Sequence, residues 1–144
     1  MNRVQLGCEL LFSSAAHTIR GRRVGLITNH SGVDSQLRAT ADKLHQSQLC
    51  ELVALYGPEH GIRGAAQDGA KVDNAADPHT GVPAYSLYGQ TREPDPTQVH
   101  GGVTLNTIMG GAYVQAPAGE HVAVSASALA RTGGGFAIFL GERA

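Results

Sequence analysis

Arg23-Val24-Gly25-Leu26-Ile27-Thr28, the stretch Gln36 to Gln46, and Cys50-Glu51-Leu52-Val53-Ala54-Leu55 together decide the fold. The first and third segments are short apolar runs rich in Val, Ile and Leu, as strands buried on both faces are. The middle segment places Leu37, Ala41 and Leu44 on one helical face, with Ser35 as a candidate cap. Strand, helix, strand is a βαβ unit, which predicts parallel strands joined by a right-handed crossover. On the amino-terminal side, Leu10, Leu11, Ala15, Ala16 and Ile19 approach helical spacing, and Gly21 reads as a helix stop.

Parallel strands release their loops at one edge, where open α/β folds place ligand sites. The first loop reads Thr28-Asn29-His30-Ser31-Gly32. The second reads Tyr56-Gly57-Pro58-Glu59-His60-Gly61-Ile62-Arg63-Gly64 and packs a carboxylate, an imidazole and a guanidinium among glycines. Asn29, His30, Glu59, His60 and Arg63 therefore converge on one expected cleft. A Glu there can act as general acid or base. An Arg can hold a carboxylate or phosphate in bidentate fashion, and an Asn can bind a sugar hydroxyl or acetamido group. Ordinary turn chemistry is the alternative, especially for Asn-His-Ser-Gly.

Beyond this pair of loops, Gly57 to Gly81 shows no periodicity, which in compact domains marks a functional or disordered loop. Pro83 confines Val82 to Tyr88 to a sheet edge or a strand start, and Pro96 can open a short helix. After Gly101 the charged residues dwindle to Glu120, Arg131, Glu142 and Arg143, Asp and Lys vanish, and Gly133-Gly134-Gly135 interrupts the chain. Phe136 to Leu140 is a strand-like run. The expected division is thus 1–100 as an α/β portion and 101–144 as a divergent Gly/Ala-rich tail.

Composition narrows the function. With 144 residues the chain suits one domain, and 11 basic against 12 acidic residues give a formal charge of -1. No basic footprint for nucleic acid appears, and no apolar run reaches membrane-spanning length. Cys8 and Cys50 lack CxxC spacing and read as buried thiols. No signal peptide is visible at the amino terminus, so the sequence as written reads as cytoplasmic. Glu59, His60, Asp68 and His79 offer metal-ligand chemistry without a recognised ligand spacing, so no metal is expected. Gly61-Ile62-Arg63-Gly64 lacks the lysine of a phosphate loop, and no cofactor is expected.

Four blocks, in order, resemble the amino-terminal part of the DUF1343 family, whose enzymatic members are exo-β-N-acetylmuramidases. They are Arg22 to Asp34, Leu52 to Gly64, Ala66-Gln67-Asp68-Gly69, and Asp77-Pro78-His79-Thr80-Gly81-Val82-Pro83-Ala84-Tyr85-Ser86-Leu87-Tyr88-Gly89. The resemblance implies a Rossmann-like α/β fold, here an incomplete one with a partly parallel sheet flanked by helices and without the family's carboxyl-terminal domain. It implies release of N-acetylmuramic acid from the ends of peptidoglycan fragments, so muramic acid saccharides are the expected partners. It makes Glu59 the candidate acid/base and His60 the group that orients or polarises it. Asn29 and Arg63 are implied to line the sugar pocket, with Asp68 as a weaker candidate for the second carboxylate that glycoside hydrolysis usually needs. The blocks fade near Gly101, where family members continue into acids and aromatics that this text lacks. A truncated or frame-disrupted copy is one explanation. Two classes of function stay open on the sequence: a muramidase-type glycosidase, and a non-catalytic sugar-binding or decayed α/β fragment of marginal stability. Nucleotide binding is a third, weaker reading.

Overall fold

The computed structural model describes residues 5–58, 61–65, 74–87, 93–100, 102–107, 113–115 and 121–122. Within them, β1 (Arg23–Ile27) runs parallel to β2 (Glu51–Gly57) on one side and to β5 (Val103–Asn106) on the other. Strand β4 (Pro83–Ser86) extends the parallel set beyond β2. The short strands β3 (Ala75–Ala76), β6 (Tyr113–Gln115) and β7 (His121–Val122) add antiparallel margins, giving the order β3-β4-β2-β1-β5-β6-β7. This is a partial Rossmann-like α/β fold. No helix among the described residues is long and apolar enough to cross a membrane.

The βαβ expectation holds in its strands and is shortened in its helix. Helix α2 spans Thr40–Gln46, not Gln36 to Gln46. The reason lies at Asp34, whose carboxylate accepts the N–H groups of Gln36 and Arg38 at 2.9 Å each. Leu37 donates its N–H to the Asp34 carbonyl and sits at φ 60°. Left-handed backbone and captured N–H groups close residues 34–38 into a turn and leave no helix to propagate. Leu37, expected on the buried face, is 82% exposed. Ser35 caps no helix; its N–H donates to a carboxylate oxygen of Glu9. Ala41 and Leu44 are buried as the helical period requires.

The amino-terminal helix is likewise reduced to α1 (Gly7–Leu10) and a 3₁₀ turn at Ala16–Thr18. The Ser13 hydroxyl donates back to the Glu9 carbonyl, and the Thr18 hydroxyl to that of Ala15. Such local bonds compete with helix continuation. Leu11, Ala15, Ala16 and Ile19 nonetheless bury, because a broken helix can still present one face to the sheet. Gly21, at φ 70°, ends this segment and donates to the Leu49 carbonyl.

One face of the sheet carries the main core: Val24, Leu26, Leu52, Leu55, Val103 and Leu105 pack under Leu11, Ile19, Ala41 and Leu44. The register explains why Leu52 and Leu55 share that face although they are three residues apart. Val24 pairs with Leu52 and Gly25 with Ala54, so Val53 is an extra residue in β2. A bulge of this kind turns every later side chain to the opposite face. Ala54 and Tyr56 consequently meet Val99 on the second face. Gly25 makes that contact possible, since a Cβ there would lie 2.5 Å from Val99 Cγ1 and 3.0 Å from the Tyr56 ring. Val99 belongs to a 3₁₀ turn, Pro96–Val99, opened by Pro96 and capped by the Asp95 carboxylate on Thr97 N–H. Both cysteines are free, Cys8 buried and Cys50 half-buried. Phe136 to Leu140 lies outside the described residues.

Candidate active site at the carboxyl edge of the sheet

Three parallel strand ends meet at this edge. Thr28, following β1, donates its N–H to the Tyr56 carbonyl at 3.0 Å, and Thr107, following β5, donates to the Ile27 carbonyl at 3.0 Å. From β1 the chain passes through α2 to β2 on one side, while β5 lies on the other. Such a reversal of strand order opens a crevice at the carboxyl ends. At these strand ends the buried hydroxyls of Thr28 and Thr107 lie 3.3 Å apart. The loop after β1 folds back over these two threonines at Gly32. Only glycine fits at position 32, because a side chain there would strike the Thr28 hydroxyl and the Thr107 carbonyl.

Asn29 forms an Asx turn: its Oδ1 accepts the Ser31 N–H at 3.0 Å and the Ser31 hydroxyl at 2.6 Å. The turn chemistry expected of Asn-His-Ser-Gly is therefore present. It leaves the amide N–H groups of half-buried Asn29 as the donors it can offer a ligand. His30 follows on the exposed surface. Its ring rests against the backbone of Gly64, where a Cβ would lie 3.0 Å from His30 Nδ1. The first loop and the second loop are thus in contact, as parallel strands required.

The second loop leaves β2 at Gly57, whose Cβ position lies 3.0 Å from the Ile62 nitrogen. Gly61 N–H donates to the Pro58 carbonyl at 2.9 Å, and Gly61 and Gly64 both adopt left-handed backbone. These bonds fix the chain on either side of Glu59 and His60. Glu59, His60 and Asp68 themselves lie outside the described residues. Just before the loop, the Tyr56 ring stacks on Tyr85 at 5.6 Å, and its buried hydroxyl has no hydrogen-bond partner among the described residues. Burial, with Tyr85 and Asp95 nearby, pushes the phenol up to about 12.

Arg63 sits in a network that the sequence did not reveal. Its Nε and Nη2 donate to Asp77 at 2.9 and 2.7 Å, and its Nη1 and Nη2 to Asp42 at 3.2 and 2.8 Å. Four of its five N–H groups are thereby committed to carboxylates of this chain. Bidentate capture of an external carboxylate by Arg63 would require one of these pairs to open. Asp42 comes from α2 and Asp77 from the turn after β3. Asp77 is 3% exposed and also accepts the N–H and hydroxyl of Thr80. Burial opposes its ionisation, but Arg63 and Thr80 outweigh burial and hold its carboxyl at about 2. The Arg63 guanidinium is held even more firmly charged than usual, chiefly by Asp77.

A second buried carboxylate, Asp34, organises the loop after β1. Burial raises it, but the N–H groups of Arg38 and Gln36 and the cations of Lys43 and Arg38 prevail and keep it well below the usual carboxylate range. Lys43 Nζ and Arg38 Nη2 stand 3.1 and 2.8 Å from Asp34 Oδ2. Among the described residues, no three His, Cys, Asp or Glu side chains are grouped to hold a metal ion.

The partial Rossmann-like α/β sheet defines the structural class, and the similarities of the chain narrow it. Residues 24–107 match the family described as "Exo-beta-N-acetylmuramidase NamZ, N-terminal". The chain belongs to this family. It is 46% identical over 94 residues to the peptidoglycan beta-N-acetylmuramidase NamZ of Bacillus subtilis (strain 168), covering 65% of this chain and 23% of that protein. It is also similar to the crystal structure of a DUF1343 family protein from Bacteroides fragilis, with a TM-score of 0.57 and 47% identity over 67% of this chain and 23% of that one. The chain thus spans under a quarter of the length of these relatives. The family match extends through β5 to Thr107, past the Gly101 where the sequence blocks fade.

Proposed function

We propose that this chain is the amino-terminal, carboxylate-bearing part of an exo-β-N-acetylmuramidase that removes terminal N-acetylmuramic acid from peptidoglycan fragments. The observation that supports this reading is the position of the described residues on either side of Glu59 and His60. Gly61 N–H is bonded to the Pro58 carbonyl just past the end of β2, and Gly64 packs against His30 of the first loop. The family membership supplies the substrate class.

In this reading Glu59 serves as general acid/base. Cleavage requires a proton on the departing glycosidic oxygen, and a carboxyl group can supply it as a general acid. His60, adjacent in sequence, orients or polarises that carboxyl. The Asn29 amide N–H groups suit the acetamido carbonyl or a ring hydroxyl of the sugar. Asp68 is the carboxylate proposed as the second group, or as a further contact to the sugar. Arg63 contributes to the pocket from within its pair of carboxylates.

Release of N-acetylmuramic acid from a chromogenic N-acetylmuramide is the direct test. Glu59→Gln removes the proton donor with little change in shape, and release should fall by about a hundredfold or more. Undiminished release by the variant would remove Glu59 from the mechanism. A second reading, sugar binding without hydrolysis, rests on the half-buried Asn29, whose amide N–H groups are left to meet a ligand by its Asx turn. Calorimetric binding of N-acetylmuramic acid with no release from the chromogenic substrate would establish it.

A further inference from the structure

Arg63 joins three separate parts of the fold through one guanidinium. Asp42 belongs to α2, Asp77 to the turn after β3, and Arg63 to the loop after β2. The next residue is Gly64, whose left-handed backbone forms the ledge on which the His30 ring lies. We propose that Arg63 is a positioning residue of the candidate site: by bridging Asp42 and Asp77 it seats Gly64 against His30 and fixes the second loop against the first.

Geometry favours this role over direct contact with a ligand. The fork of Arg63 is spent on two carboxylates at 2.7 to 3.2 Å. A planar fork locks direction as well as distance, which a lysine ammonium does not. The carboxylates are themselves anchored. Asp77 is buried and held by Thr80, and Asp42 is carried by a helix packed on the core face through Ala41 and Leu44. The two loops they align leave neighbouring parallel strands, so a shift of the second loop moves Gly64 away from His30 of the first. The consequence for muramic acid rests on the function proposed above, whereas the seating of Gly64 does not.

The test uses the full 144-residue chain, NMR and N-acetylmuramic acid as the probe. In the parent chain a nuclear Overhauser contact between Gly64 Hα and His30 Hβ is expected. Arg63→Lys keeps the charge but cannot serve both carboxylates; it should abolish that contact while the amide shifts of Val24, Leu55 and Ala84 stay in place. Affinity for the sugar should fall about tenfold, the scale of loss expected when a site is loosened rather than deleted. Asp42→Asn, which leaves the buried Asp77 pair intact, should weaken the same contact and decides the matter if Arg63→Lys disturbs the sheet. Persistence of the Gly64–His30 contact in Asp42→Asn, or in an Arg63→Lys variant with an undisturbed sheet, overturns the proposal. If the parent chain fails to bind the sugar, the functional reading falls while the contact still decides the positioning role.

Discussion

The loop after β1 and the turn after β3 each contain a buried carboxylate held by cationic side chains, yet the two arrangements do opposite work. Asp34 is served from close by: Gln36 and Arg38 lie within four residues, and Lys43 completes the set from α2. Its effect is to shape one loop. Asp77 takes its cation from Arg63, 14 residues away, and Arg63 reaches a further 21 residues to Asp42. Its effect is to hold separate parts of the fold together. Local networks specify backbone shape, while long-range ones specify tertiary geometry and leave more buried charge exposed to loss when one partner goes.

The sharpest way to break the comparison is Arg63→Ala. It strands Asp77, 3% exposed, without its cation. Breaking a buried pair by removing one partner costs about 3 to 5 kcal/mol, and the partial exposure of Arg63 and Asp42 places the expected loss near the lower figure. Urea denaturation measures it. A loss below that of an ordinary surface pair would show that the long-range network is not structural.

Acid titration gives the next effect. The Asp77 carboxyl is depressed from 3.8 to about 2 in the folded chain. A depressed carboxyl stabilises the fold above its unfolded value, and that stability is lost as pH falls through the folded one. About 2 kcal/mol should therefore disappear between roughly pH 4 and pH 2, with Asp34 acting in the same direction. In Arg63→Ala the Asp77 carboxyl loses its stabilising cation, so the gap between parent and variant should narrow over that window. Melting temperature against pH reads both curves; a gap of constant width would separate Asp77 from Arg63.

The smallest effect probes the local network alone. Leu37 holds φ 60° with its side chain 82% exposed. Leu37→Gly relieves the left-handed strain and forfeits almost no burial, so a gain of about 0.5 to 1 kcal/mol is expected, against glycine's greater freedom in the unfolded chain. Destabilisation would show that Leu37 packs against something that its exposure conceals.

The same contrast explains what could be read from the residues alone. The strands β1 and β2 were legible because continuous apolar runs have few other uses in a chain of this composition. Helix α2 was legible from Ala41 and Leu44, but its start was not, since nothing in Asp34-Ser35-Gln36-Leu37 announces that one carboxylate will capture two amides. The bulge at Val53 was invisible: Leu52, Ala54 and Tyr56 alternate as if on one face. Strand β5 hid in a Gly-rich text, where Val103 and Leu105 offer only two core positions. At the edge of the sheet, the parallel topology was enough to bring the first and second loops together, where His30 meets Gly64. The partners of Arg63 were not legible, because Asp42 and Asp77 are ordinary acids in sequence and acquire meaning only when α2 and the turn after β3 are brought to the same place.

Asp42 and Lys43 are consecutive residues of α2, one tied to Arg63 and the other to Asp34. Neighbours on a helix point about 100° apart, so the two ties leave the same short rod in different directions. That rod is a common pivot for both walls of the crevice. Any twist of α2 about its axis carries both ties around in the same sense, so neither wall can be reset without tugging on the other.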